Sequence, residues 1–227
     1  MLLEVKNIRK QYQRQTLFCA VDNVSFSLQQ RDYACIMGRS GSGKTTLLNI
    51  IAGISTPTQG RIIIDNTDIA PFDDEQASQF RNQTIGYVPQ GSSLLTNLTA
   101  MENICLPYYL YSKNKQPDNI ECCNKRAQQL MQMAEISHLS EIYPNQMSGG
   151  EMRRVAIVRA LICSPKLLLA DEPTNDLDDE SSRQIMQLFS GLHSQGTTIL
   201  LVTHDHEVAN YASKHFKMEA GKLTDYS

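Results

Sequence analysis

The sequence lacks any apolar run long enough to cross a membrane. A membrane-spanning helix needs roughly 20 consecutive apolar residues, and long runs here, such as "LLNIIAGI" at 47–54, are the size of a core segment. The opening residues, "MLLEVKNIRK", place Glu4 and Lys6 where a secretory signal needs an apolar stretch. We therefore expect a cytoplasmic protein, and any role at a membrane would depend on a partner.

The six cysteines also lack the spacing of a metal or disulfide motif, because no C-x-x-C pair occurs among positions 19, 35, 105, 122, 123 and 163. Scattered cysteines of this kind indicate core thiols in a reducing compartment. The net charge of −3 shows no basic excess, which argues against an electrostatic nucleic-acid binder. The sequence has no repeats or low-complexity tracts, and its 227 residues fit one domain.

Hydrophobic patterning divides the chain into three regions. The first third is strand-like, the middle has helical periodicity, and the last third has continuous apolar runs, which are typical of strands buried on both faces of a parallel sheet. The predicted strands are 2–8, 21–28, 33–37, 61–65, 166–170 and 197–202, and the predicted helices are 99–111, 118–135, 150–162 and 179–194. Prolines at 107, 117 and 144 are expected to break the helical patterns.

The segment "GRSGSGKT" at 38–45 fits the phosphate-loop pattern G-x-x-x-x-G-K-[ST], and it lies between a predicted strand and a helix. Its glycines allow successive N–H groups to face phosphate oxygens, and the helix N-terminus adds a partial positive charge. Lys44 is expected between the β- and γ-phosphates, and the Thr45 hydroxyl is expected to bind Mg²⁺. The flanking strand and helix argue against a Gly/Ser-rich turn with a chance lysine.

Two carboxylates end the apolar run "LLLADEP" at 167–173. Asp171 is expected to hold Mg²⁺ through water, and Glu172 can polarise an attacking water as a general base. Carboxylates beside bound phosphate are repelled unless a metal ion and water lie between them. The pair therefore indicates Mg²⁺ as well as ATP, whereas the segment alone would indicate an ordinary acidic turn.

A second glycine-rich helix start occurs in "MSGGE", at 147–151. Glycine is a poor helix former, but Ser148 and the two glycines after it present a hydroxyl and unobstructed N–H groups, as an anion site would. One ATP does not need two such helix starts from one molecule. If two copies pair head to tail, Ser148–Glu151 of one closes over the nucleotide on Lys44 of the other. The alternative is a flexible Gly-Gly hinge before a core helix.

These motifs together resemble the ATPase subunit of an ATP-binding cassette (ABC) transporter, over nearly the whole chain. The matches are 38–45 to the Walker A motif, 167–172 to the Walker B motif with its catalytic glutamate, "MSGGE" to the signature, Gln90 in "IGYVPQ" to the Q-loop, "NDLD" at 175–178 to the D-loop, His204 in "LLVTHD" to the switch histidine, and Tyr12 in "IRKQY" to the aromatic residue that stacks on adenine. The order and spacing of these motifs make the resemblance specific.

The resemblance implies a role for each matched position. Gln90 would touch Mg²⁺ or the attacking water and relay the state of the site to the helical insertion, and His204 would contact the γ-phosphate. Asp178 would support the dimer interface; its alternative is an N-cap for the helix at 179–194, and one residue can have both roles. The implied catalytic residues are Glu172, His204, Lys44 and Gln90; the ATP-binding residues are Tyr12, Gly38, Arg39, Ser40, Gly41, Ser42, Gly43, Lys44, Thr45 and Thr46; the trans ATP-binding residues are Ser148, Gly149, Gly150 and Glu151; and the metal ligands are Thr45, Gln90 and Asp171.

The implied fold is α/β, the P-loop NTPase fold of ABC ATPases. It has a RecA-like core with a parallel sheet, an N-terminal antiparallel β subdomain and an inserted α-helical subdomain. We expect one ABC ATPase domain over 1–227, in which 1–93 contains the β-rich part and the phosphate loop, 94–162 the helical subdomain with the signature, and 163–227 the rest of the core.

The sequence departs from the family pattern at a few positions. Met147 and Glu151 replace the usual Leu and Gln; methionine has a similar volume, and glutamate is a familiar variant. Arg39 stands where a small residue is more common and could contact the nucleotide or the facing chain. Pro89 replaces a frequent aromatic residue before Gln90. The glutamate variant leaves the expected ATPase activity in place, whereas Pro89 bears on the hinge before Gln90 and on coupling to the partner.

The segment 75–107 resembles the group that contains macrolide exporters, lipoprotein-releasing ATPases, antimicrobial-peptide resistance transporters and the cell-division ATPase. By resemblance, two copies bind two ATP·Mg²⁺, form a homodimer and drive a separate membrane permease contacted near Gln90. Efflux or extraction of a peptide, drug or lipoprotein would follow, with the protein on the inner face of the cell membrane.

Two other classes of function remain as alternatives. A regulatory ATPase of the cell-division type would share every catalytic residue and transport nothing. An ATPase acting on ribosomes or nucleic acid is disfavoured by the single cassette and by the net charge of −3. A P-loop kinase would lack "MSGGE" and His204.

Overall fold

The computed structural model describes residues 1–13, 17–91, 93–111 and 117–226, with 117–119 described by their backbone alone. The strands are β1 (Leu3–Gln13), β2 (Leu17–Leu28), β3 (Tyr33–Met37), β4 (Gln59–Ile64), β5 (Thr67–Asp68), β6 (Ile85–Val88), β7 (Leu167–Asp171), β8 (Thr198–Thr203), β9 (Lys214–Glu219) and β10 (Lys222–Asp225). The α-helices are α1 (Lys44–Ile51), α2 (Asp74–Thr84), α3 (Ala100–Tyr111), α4 (Pro117–Met133), α5 (Gly149–Leu161), α6 (Asp179–Ser194) and α7 (His206–Ala209), and 3-10 turns lie at Ser137–Leu139 and Pro144–Gln146.

A six-stranded sheet, in the order β10-β9-β3-β8-β7-β6, forms the centre of the molecule. The pairs from β9 to β6 are parallel, and the β9–β10 hairpin is antiparallel. Every residue of β3, β7 and β8 is buried. For β7 and β8 this confirms the prediction from their continuous apolar runs. Because these strands are parallel, their carboxyl ends meet at one edge of the sheet.

A second, antiparallel sheet has the order β2-β1-β4-β5. Apolar side chains of β1, among them Val5 and Ile8, share a core with Leu47 and Leu48 of α1 and with residues of the central sheet. β1 continues beyond the predicted end at residue 8 as far as Gln13. Tyr12 therefore lies on a strand, directly opposite Phe18 of β2.

Helices α3, α4 and α5 form the helical part, and their buried apolar residues belong to one core with those of α6. The expectation that Pro107 breaks its helix is wrong, because α3 continues through it. A proline inside a helix removes a hydrogen bond and costs about 3 kcal/mol; burial of Ile104 and Cys105 offsets that cost. Pro117 and Pro144 do stand at element starts. None of the described helices has both the length and the apolar character to cross a membrane.

Gly86 marks a close approach between β6 and α5. A Cβ atom at this position would lie 2.6 Å from the Ala160 carbonyl oxygen and 3.0 Å from side-chain atoms of Leu168 and Pro165. A backbone oxygen cannot rotate away as a flexible side chain can. Glycine at this position therefore allows α5 to dock against the central sheet.

We expect Gly86→Ala to lower the free energy of unfolding by about 1–3 kcal/mol, because the backbone of β6 or α5 must move. Gly191, inside α6, is the matched control, since a Cβ atom there meets nothing within 4 Å. Gly191→Ala should raise stability by about 0.5–1 kcal/mol through better helix propensity. Urea unfolding of both variants measures the difference, and a Gly86→Ala variant as stable as the parent would contradict this packing argument.

Candidate active site

Four neighbouring parallel strands of the central sheet lead into predicted site residues at the same edge. β3 precedes the loop 38–43, β8 precedes His204, β7 ends at Asp171 with Glu172 next, and Gln90 follows β6. The order β3-β8-β7-β6 brings these groups together although they are far apart in sequence. This edge is the usual position of ligand sites in parallel α/β sheets.

The phosphate loop requires glycine for steric reasons. Gly41 and Gly43 have φ angles of +79° and +107°, which residues with a Cβ atom rarely adopt. A Cβ atom at Gly43 would lie 2.2 Å from the Ala20 carbonyl oxygen, and one at Gly38 would lie 2.4 Å from the Met218 carbonyl oxygen. Because Gly43 caps α1 without a side-chain hydrogen bond, the first N–H groups of α1 lack a capping side chain and can bind phosphate oxygens.

A cleft of about 350 Å³ lies in front of this loop. Its lining contains the predicted residues Ser40, Gly41, Ser42, Gly43, Lys44, Thr45, Thr46, Gln90 and Glu172. Phe18 and Ala20 of β2 complete the lining and were not predicted from the sequence. Phe18 could have been found as the cross-strand partner of Tyr12. That inference requires knowing that β1 extends to Gln13 and pairs with β2.

The Lys44 ammonium group is buried in the cleft, with 5% of the residue exposed. Its Nζ donates to the carbonyl oxygens of Gly38, at 2.6 Å, and Arg39, at 3.2 Å. The same atom lies 3.4 Å from Glu172 Oε1. The fold thus places the Lys44 ammonium group where phosphate oxygens can replace these two carbonyl oxygens as its hydrogen-bond acceptors.

Asp171 is fully buried and makes one side-chain contact that matters for metal binding. The Thr45 hydroxyl donates to Asp171 Oδ1 at 3.2 Å, whereas Oδ2 has no hydrogen-bond partner among the described residues. Burial raises the pKa of Asp171, which means that the charged carboxylate is disfavoured in the free protein. A buried carboxylate oxygen without a partner, beside a hydroxyl, suits a hard cation such as Mg²⁺.

Glu172 lies between Lys44 and His204. Its Oε2 is 3.0 Å from His204 Nδ1 and accepts the His204 backbone N–H at 3.3 Å. The Glu172 backbone has a φ angle of +47°, a left-handed conformation that costs energy in a residue other than glycine. Its N–H donates to the Val202 carbonyl oxygen at 3.0 Å, which helps to hold that conformation. A carboxylate held on both sides in this way can accept a proton from a water in the cleft.

The second glycine-rich helix start lies on α5, outside the lining of the Lys44 cleft. Ser148 is the N-cap, and Glu151 completes a capping box with it. Ser148 and Gly149 are exposed, so the start of α5 is accessible. Gly150 has a further reason to be glycine, because a Cβ atom there would lie 2.6 Å from Ser181 Oγ of α6.

The remaining predicted residues lie around these two helix starts. Asp178 caps α6 by accepting the backbone N–H and the hydroxyl of Ser181, each at 2.8 Å, and these bonds lower its pKa. This confirms the N-cap alternative for Asp178. Arg39 lies within the phosphate loop and is exposed. Tyr12 is 39% exposed, with Lys10 Nζ 5.1 Å from its ring centre, and it lies beside Phe18 rather than in the cleft lining itself.

The parallel sheet, the glycine-rich loop before α1 and the carboxylates at the end of β7 define the chain as a P-loop NTPase. Residues 21–175 match the ABC transporter family, and the chain belongs to that family. Both the predicted family and the predicted fold are thereby confirmed.

Its relatives and structural neighbours agree with this assignment. The chain is 36% identical over 225 residues to the uncharacterized ABC transporter ATP-binding protein MJ1508 of Methanocaldococcus jannaschii, covering 99% of this chain and 98% of that protein. It is 39% identical over 202 residues to the ABC transporter ATP-binding protein YtrE of Bacillus subtilis, covering 88% and 85%. It is also similar to the dimeric, post-hydrolysis structure of the ATP-binding cassette MJ0796 bound to ADP and Pi, with a TM-score of 0.91, 36% identity and 99% and 98% coverage.

We expect Asp171→Asn to stabilise the nucleotide-free protein by about 1 kcal/mol, because it removes a buried charge with an unpaired oxygen. The raised pKa gives the pH dependence. Ionisation of Asp171 costs energy in the folded state, and this cost is absent below the unfolded pKa and complete above the folded pKa. The advantage of the variant should therefore grow as the pH rises from acid to neutral.

Thermal unfolding at several pH values measures this advantage. Asp225→Asn, at an exposed position of β10, is the matched control and should leave stability nearly unchanged. An Asp171→Asn variant less stable than the parent at neutral pH would contradict the buried-charge argument.

Proposed function

We propose that this chain is the ATP-hydrolysing subunit of an ABC transporter, working as an ATP-bound pair of copies that drives a separate membrane permease. The observation that carries the proposal is the position of Glu172. Its carboxylate lies 3.4 Å from Lys44 Nζ and 3.0 Å from His204 Nδ1, at the mouth of the phosphate loop. This arrangement suits a base that activates water beside a bound γ-phosphate.

In the proposed reaction, the phosphate loop and Lys44 bind the β- and γ-phosphates of ATP. The water oxygen attacks the γ-phosphorus, Glu172 takes the water proton, and the bond to the bridging oxygen of ADP breaks. His204 positions Glu172 and reaches the γ-phosphate. Thr45, Asp171 and Gln90 would hold Mg²⁺, which neutralises charge on the phosphate oxygens when it is bound. Tyr12 stacks on the adenine ring, with Phe18 beside it.

The second half of each ATP site comes from another copy of the chain. Ser148, Gly149, Gly150 and Glu151 are the start of α5, which does not line the cleft of its own chain. A head-to-tail pair brings this helix start to the γ-phosphate on the facing Lys44, and Asp178 supports the interface. The dimeric state described for the similar cassette MJ0796, with ADP and Pi bound, supports this arrangement.

The connection to a permease runs through α5 and the loop that contains Gln90. The buried Arg153 of α5 donates from Nη1 to the Pro89 carbonyl oxygen at 2.8 Å. Movement of Ser148 toward a partner nucleotide therefore moves the residue before Gln90. A separate cleft of about 160 Å³, lined by residues of α2, β6, α3 and α5, suits a permease segment. The protein would then act in the cytoplasm on the inner face of the membrane, in efflux or extraction of a peptide, drug or lipoprotein.

Glu172→Gln should bind ATP and form the dimer while hydrolysing it at least about 100-fold more slowly, because the amide cannot take the proton from water. Phosphate release and size-exclusion chromatography with ATP·Mg²⁺ measure the two properties. Glu219→Gln, which changes an exposed carboxylate on β9, is the matched control and should hydrolyse ATP normally. Rapid hydrolysis by Glu172→Gln would remove Glu172 from the role of base.

Tagged Glu172→Gln with ATP·Mg²⁺ should retain a membrane permease from solubilised membranes of the native host, because ATP traps the closed dimer. Lys44→Ala, which removes the cation of the phosphate loop, is the control and should lose the ATP-dependent enrichment. Mass spectrometry identifies the partner. Recovery of ribosomes, of DNA or of no membrane protein would exclude the transporter assignment, and a permease recovered with cell-division proteins would favour a regulatory ATPase.

A further inference from the structure

His138 contacts the capping box at the start of α5. Its Nε2 lies 3.5 Å from Glu151 Oε1, and the other carboxylate oxygen, Oε2, accepts the Ser148 backbone N–H at 2.7 Å. The Glu151 N–H in turn donates to Ser148 Oγ at 3.3 Å. One oxygen of Glu151 is therefore held by the helix start and the other by an imidazole from the 3-10 turn at Ser137–Leu139.

Glu151 brings a negative charge to a place that the proposed function assigns to phosphate. The hydrogen bond from Ser148 lowers the pKa of Glu151, and the contact with His138 lowers it further. A carboxylate in the first turn is favourable for the free helix. It repels a γ-phosphate arriving at the adjacent N–H groups of Gly149 and Gly150. A cation on the far side of the carboxylate would reduce that repulsion.

Several charged groups on the elements around this pair have other partners. These contacts are Lys125 with Glu121 on α4 at 2.6 Å, Arg153 of α5 with the Pro89 carbonyl oxygen at 2.8 Å, Arg154 of α5 with Gln184, and Ser140 with Glu141 after the 3-10 turn at 3.2 Å. The side chain of His138 is 65% exposed. Histidine is the side chain that ordinarily changes charge between about pH 5 and 8.

We propose that His138 is a positioning residue of the trans phosphate site. It holds the Glu151 carboxylate on the Ser148 N–H and, when protonated, offsets the negative charge that Glu151 brings to the incoming γ-phosphate. This inference rests on the proposed pairing of two copies around ATP. Because phosphate favours the imidazolium, association is linked to proton uptake, and by reciprocity it strengthens as the pH falls from 8 to 6.

The test measures the dimer dissociation constant with saturating ATP·Mg²⁺ by analytical ultracentrifugation at pH 6, 7 and 8, in the Glu172→Gln background. The parent should associate about fivefold more weakly at pH 8 than at pH 6, the upper range for an exposed ion pair. Adding His138→Gln should give the weak association at every pH. Adding Glu151→Gln should give tight association at every pH, since the amide keeps the cap without the charge.

The double change His138→Gln with Glu151→Gln should behave like Glu151→Gln alone, because His138 acts through Glu151. A merely structural role for either residue would weaken association in both single variants and leave the pH profile unchanged. His193→Gln is the matched control, since His193 Nε2 contacts the Arg31 carbonyl oxygen, at 2.8 Å, away from this site. It should keep the parent profile, including any part that comes from the titration of ATP itself.

Two outcomes overturn the proposal while leaving the paired ATP site intact. One is a His138→Gln variant with the pH profile of the parent, and the other is a Glu151→Gln variant that associates more weakly than the parent at pH 8. A parent protein that fails to associate with ATP at any pH overturns the paired site as well. The failure of this inference and the failure of the proposed function are therefore distinguishable.

Discussion

Burial of ionisable groups at one edge of the central sheet is the constraint on which the site depends. Lys44, Asp171 and Glu172 are all buried, and the cation and the carboxylates only partly compensate one another. Such burial costs free energy unless ligands complete the site. Apolar packing of β3, β7 and β8, whose residues are buried throughout, offsets this cost. The same groups suit the site for phosphate and a metal ion. The residues that lower the stability of the folded protein are therefore the ones that the proposed function uses.

The helix α5 connects the two ends of the proposed mechanism. Ser148 at its start is exposed, and Arg153 one turn later is buried and bonded to the backbone before Gln90. Gly86 allows the same helix to lie against β6. Because α5 is packed against β6 and bonded to the backbone before Gln90, we expect it to move as a rigid body. Such a helix suits the proposed connection between an ATP site at one end and a permease at the other. The contact between His138 and Glu151 adds a group that can change charge at the exposed end.

Much of the fold and of the candidate site could be predicted from the sequence. The phosphate loop, β7, β8 and α5 have strong local patterns, and they form within a residue or two of the predicted bounds. The helix α2 was not predicted, because its sequence is mostly polar and Thr84 is its one buried residue. Pro107 was expected to end a helix, but packing of α3 outweighs the local preference. Phe18 was missed because its place in the cleft depends on the pairing of β1 with β2.

The sequence by itself determined the chemical groups of the site and the elements that carry them, since glycine spacing, caps and apolar periods are local properties of the chain. Only the tertiary structure decided which groups meet. Thr45 and Asp171 are 126 residues apart and form a hydrogen bond, and His204 meets Glu172 because β8 lies beside β7. These contacts depend on the order of the strands in the sheet, and that order results from packing the apolar faces of the whole chain rather than from any one motif.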